Sequence, residues 1–123
     1  MTAGALASGP PGRFTLQAAI AGVHAVAPSP ELTDWPRIVH LYDLLLAVWN
    51  TPVVALNRAA ALAFADGPAA ALPLLDELAA DPRIADYPYL HATRAHLLQR
   101  LGDAAGAARS YRRARELTAN AAE

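Results

Sequence analysis

Moved against itself by 36 residues, the sequence falls into register with its own second half. Asn57-Arg58-Ala59 lands on Thr93-Arg94-Ala95, and Leu62 lands on Leu98. Ala71, Leu75 and Leu78 land on Ala107, Tyr111 and Ala114. Within each trio the spacing is four and then three, so the side chains share one face of a helix. In LGDAAGAARSYRRARELT, from Leu101 to Thr118, that face reads small, large, small. Self-similarity at this period marks a stack of supersecondary units. One unit cannot bury its apolar face alone, and about three are needed for stability.

Proline, glycine and capping residues divide the 123-residue chain into six helical segments. Phe14 to Ala27 carries Leu16, Ile20, Val23 and Val26 and stops before Pro28. After the linker APSPELT, Asp34 is placed to cap a second helix with Pro36 in its first turn, running to about Trp49. Thr51-Pro52 repeats the arrangement for a third helix, to about Ala65. Asp66-Gly67-Pro68 turns into a fourth, which stops near Asp81-Pro82. The fifth spans about Tyr87 to Leu101, and Gly102-Asp103 supplies the turn and cap for a sixth that reaches about Asn120. No segment alternates with period two, so an all-α fold is expected, and alanine, about a quarter of the residues, favours it.

The period and the A-x3-F/Y-x2-A pattern resemble the tetratricopeptide repeat, whose period is about 34 residues. Leu101 to Leu117 carries the match, with Leu-Gly-Asp as the turn before it. The first pair is more divergent: Ile38, Tyr42 and Leu45 repeat the spacing with Tyr42 as the large knob, and Ala21-Gly22 is the point of close approach. The resemblance implies three antiparallel hairpins, about 14–49, 52–81 and 87–119, stacked as a short right-handed solenoid. Ala107 and Ala114 then admit the fifth helix, and Tyr111 fills the hole between hairpins. Tyr42, Ala71, Leu75 and Ala95 are the other packing positions.

Chemistry is sparse. No cysteine is present, which excludes disulfides and thiolate metal sites. There is no phosphate-binding loop, no GxSxG and no HExxH, so neither an enzyme nor a cofactor is expected. His91 and His96 are five apart and do not share a face as a metal pair would. The net charge of −1 predicts no strong field for nucleic acid or an anionic membrane. Every basic residue is arginine, and Arg109, Arg112, Arg113 and Arg115 form the one cluster: a solvated face, or a docking patch for an acidic partner or nucleic acid. Asp34-Trp35 opens the second helix, where Trp35 either staples the linker or meets a partner. Asn57-Arg58 interrupts the apolar run LNRAAALAF, as a buried polar network or as a ligand-facing pair. Tyr89, His91, Arg94 and His96 decorate the fifth helix; in tetratricopeptide stacks the first helix of each pair lines the concave groove, so some of them should face a partner.

No apolar run approaches the roughly 18 residues of a membrane helix, and Met1 to Pro10 lacks the basic and apolar regions of a secretory signal. A flexible lead over residues 1–12, one helical domain over 13–120 and a soluble, cytoplasmic protein are expected.

The strings GRFTLQAAIAGVHAVAPS, TDWPRIVHLYDLLL, TPVVALNRAAALA and YLHATRAHLLQRLGDAAGAARSYRRARELT, in that order, resemble the C-terminal tetratricopeptide-like extension of group-42 extracytoplasmic-function (ECF) RNA polymerase sigma factors. The resemblance covers about Pro11 to Thr118. It implies a regulatory, protein-interaction domain of such a factor, acting through the sigma regions of its own full-length chain or through RNA polymerase. A YCII-related protein is a further implied partner. The family's recurring strings fall here on Asp34, Trp35, Tyr42, Asn57, Arg58, His91 and Arg94, and no catalytic residue carries over. Trp49-Asn50 stands where the family more often has a small residue and proline. The two sigma regions that melt and read the promoter are missing, so this chain is expected to be the tail of a longer protein. The competing expectation is a free-standing adaptor with a peptide in its groove. An exposed apolar face on a terminal helix would favour a homodimer.

Overall fold

The computed structural model describes residues 12–122, and among them there are six α-helices and no strand. These are α1 (Arg13–Val26), α2 (Trp35–Val48), α3 (Pro52–Asp66), α4 (Pro68–Ala79), α5 (Pro88–Arg100) and α6 (Ala104–Ala122). The lead expected over residues 1–12 lies, but for Gly12, outside the described residues.

Local chemistry sets the helix starts. The Asp34 carboxylate accepts from the Arg37 N–H at 3.2 Å, the Thr51 hydroxyl from Val54 N–H at 3.2 Å, and Asp103 from Gly106 N–H at 2.9 Å. Each bond satisfies a donor that the first helical turn leaves open and contributes about 1 kcal/mol. Gly67, at φ 97°, is the sole residue between α3 and α4, in a backbone conformation that disfavours any side chain. Two details were absent from the sequence reading. Pro30–Leu32 forms a 3-10 turn within the linker, and Pro73 sits inside α4.

Every helix packs against its neighbours in the chain, and α3 also touches α5. Two cores flank α3. On one side Val54 and Ala61 join Leu16, Ile20, Ile38, Leu41 and Leu45 of α1 and α2. On the other, Leu56, Ala59 and Ala63 join Ala71, Leu75, Leu90 and Leu97 of α4 and α5, with Ile84 from the loop. The α5–α6 contact is the most extensive between any two helices, and small side chains permit it. Ala95 and Ala107 are both buried there, and α6 turns Ala107, Ser110, Ala114 and Leu117 inward.

That last row corrects the placing of Tyr111. The centre of the buried face is Ser110, 5% exposed, whereas Tyr111 is 39% exposed at its edge. A four-then-three spacing spans an arc of the helix, and the axis of contact falls one residue earlier than the large side chain. Tyr111 therefore walls an open depression and does not fill a hole.

Candidate functional site

The odd-numbered helices present a repeated set of side chains to one side of the molecule. Gln17, Ala21 and His24 of α1 stand 36 residues before Val53, Asn57 and Ala60 of α3. Those in turn stand 36 before Tyr89, Thr93 and His96 of α5. All nine line three adjoining depressions of about 630, 180 and 320 Å³. The first two share His24, Tyr42 and Asn57, and the last two share Ala60, Phe64 and Tyr89, so they form one trough.

The trough is mainly apolar with a few polar groups along it, the usual make-up of a binding cleft. Its middle is aromatic. Trp35 stacks on Phe64 with ring centres 4.3 Å apart and planes 11° off parallel, and His24 meets Trp35 edge-on at 5.3 Å. Arg100 lies 5.8 Å from the Phe64 ring centre. Burial pushes the Tyr42 hydroxyl above its ordinary pKa, with a smaller push from Tyr89, so it stays a neutral donor at physiological pH. Asn57 is half-buried on the trough wall, and among the described residues no buried side-chain polar atom lacks a partner. Asn57 lines the middle depression as well as the first, so its side chain borders both.

No family model matches the chain, and no solved structure matches it. It is 44% identical over 113 residues to an uncharacterized protein of Rhizobium meliloti (strain 1021). The match takes in 92% of this chain and 26% of that protein, so the chain spans about a quarter of its relative's length.

The candidate residues divide into two groups. Trp35, Asn57, Tyr89 and His96 line the trough. Asp34, Arg58, His91 and Arg94 are engaged within the protein. Asp34 is a helix cap. Arg58 pairs with Asp43 on α2, and Arg94 pairs with Asp76 on α4 at 2.9 Å while donating to the buried Ser110 hydroxyl at 3.1 Å. Each of these arginines ties an odd-numbered helix back to the even-numbered helix before it. The equivalent position in α1, which follows no described helix, is Gly22. His91 Nε2 lies 2.6 Å from the Ala85 carbonyl oxygen and fastens α5 to its loop. Trp35 has both roles, since its indole N–H donates to the Pro30 carbonyl at 2.9 Å and so staples the linker. Tyr42, read as a packing knob, is half-buried and lines the trough as well.

Gln17, His24, Phe64, Thr93 and Arg100 were missed. Their signal was present: Asn57 and Phe64, like Tyr89 and His96, are seven apart and share a helix face. Asp76 holds Arg94, and Asp81 accepts from the Arg83 side chain and N–H, which keep its carboxyl below the usual range. Among the described residues no group of three or more metal-binding side chains converges, and no helix is long and apolar enough to cross a membrane.

Proposed function

We propose that this chain is the regulatory, protein-binding domain of an ECF-type RNA polymerase sigma factor. It has no catalytic role in this reading and acts in the cytoplasm, where the polymerase works. Its helices form three tetratricopeptide-like hairpins in a short right-handed solenoid. The observation that carries the reading is the trough: positions 36 apart on α1, α3 and α5 line one continuous surface. Nearest-neighbour packing supports the stacked arrangement. A relative about three and a half times as long supports a domain that belongs to a larger protein. The sigma regions of that larger protein and the polymerase are the proposed partners, with a YCII-related protein as a further one.

The test uses the full-length Rhizobium relative. It is expected to bind core RNA polymerase and direct run-off transcription, and deleting the segment that matches this chain should change that output several-fold. A relative that does not bind core polymerase overturns the sigma-factor reading. Unchanged output after the deletion overturns the regulatory role.

The aromatic floor of the trough favours a second reading, a free-standing adaptor that holds an extended peptide. In that reading Asn57→Leu and Tyr89→Ala, neither of which touches the arginine ties, abolish peptide capture and leave the fold intact.

A further inference from the structure

α6 carries a second surface that adjoins the end of the trough, with Ala92 and Tyr111 common to both. Ala108, Tyr111, Arg112, Arg115, Thr118 and Ala119 recur at intervals of three and four along its outer side. With Ala92 of α5 they line an open depression of about 850 Å³ whose floor is methyl groups and one phenol ring. The apolar strip of α6 thus extends past its contact with α5, from the buried Ala114 to the exposed Ala108 and Ala119.

Charge is concentrated on the same hairpin. Arg94, Arg100, Arg109, Arg112, Arg113 and Arg115 lie on α5 and α6, against Glu116 alone. Arg94 is tied to Asp76, and Arg113 to Asp86 and Glu116. Among the described residues Arg109, Arg112 and Arg115 make no ion pair, and Arg112 and Arg115 form walls of the depression. A protein of net charge −1 therefore carries a positive, apolar-floored seat at one end.

We propose that this seat docks an acidic amphipathic helix of a partner protein. Side chains spaced at three and four accept the ridges of a second helix, and alanine allows close approach. Leucine or alanine of the partner enters between Ala92, Ala108, Thr118 and Ala119. Its carboxylates, one turn apart, meet Arg112 and Arg115. A second copy of this chain is the wrong occupant. Two-fold pairing brings like charges together, and head-to-tail stacking offers α1, which has no carboxylate. Nucleic acid fits poorly as well, because the floor is apolar and few free arginines are present to neutralise phosphates. The proposal is independent of the sigma-factor reading, since the peptide assay reads this face alone and the promoter assay does not.

The test uses the 123-residue chain and two labelled synthetic helices of about 18 residues. One has a leucine/alanine stripe flanked by glutamates; the other has lysine at every glutamate. The acidic helix is expected to bind and the basic one not. In the double variant Arg112→Glu/Arg115→Glu the preference reverses. Ala119→Glu, at a solvent-exposed site, abolishes binding of the acidic helix, while circular dichroism shows helix content unchanged. Failure of both helices to bind, or a preference that does not reverse, overturns the proposal. So does a chain that sediments as a dimer with this face covered, or binding to duplex DNA in preference to the acidic helix.

Discussion

Asn57 and Arg58 are adjacent in sequence and belong to different parts of the molecule. Successive residues on a helix are about 100° apart, so Asn57 opens on the trough while Arg58 reaches back to Asp43. Residue-scale energetics separate the two arginine ties. Arg58→Ala breaks a pair whose carboxylate is half exposed, and costs under about 1 kcal/mol. Arg94→Ala also leaves the buried Ser110 hydroxyl without its partner, and costs about 1–2 kcal/mol. Urea denaturation of both variants checks this; equal losses would show that Ser110 finds another partner. The sequence pattern singled out both arginines, but spacing alone does not say which way either points. That is set by where the preceding helix places a carboxylate, at Asp43 and Asp76.

At the scale of elements the sequence was highly legible. Three of the helix starts follow from Asp34, Thr51 and Asp103, whose side chains all make the capping bond their position implies. The turn at Gly67 needs the one residue type that accepts its backbone angle. The buried side of α6 was less legible, because alanine, serine and tyrosine alternate there and only the contact with α5 selects Ser110 over Tyr111. Pro73 is the element-scale anomaly. It lies at an exposed position inside α4, removes one hydrogen bond from the ladder and crowds the preceding turn. Pro73→Ala is expected to raise the unfolding free energy by about 1–3 kcal/mol. Thermal unfolding followed by circular dichroism reads it directly, and an unchanged or lower midpoint would mean that the packing of α4 requires the proline.

Across the whole molecule, contacts run from each helix to the next, and α3 alone is enclosed by both cores. Stability in such a chain is distributed, not global. Native-state hydrogen exchange should find the slowest amides in the middle of α3, near Leu56 to Ala63. Those of α1, which packs on α2 alone, should be far faster. Uniform protection across all six helices would contradict that gradient. The six helices were readable from sequence because packing constrains one face of each. The trough was only partly readable, since its polar positions differ from helix to helix and it exists only once the helices are packed together.

The alternation of Asn57 with Arg58, and of Thr93 with Arg94, has an evolutionary consequence. One side chain holds the helices together, and its immediate neighbour meets whatever arrives. Mutational drift at Gln17, Asn57, Thr93 and His96 can therefore proceed without eroding the scaffold. Descendants of one ancestor can acquire different partners while keeping the same skeleton of arginine ties.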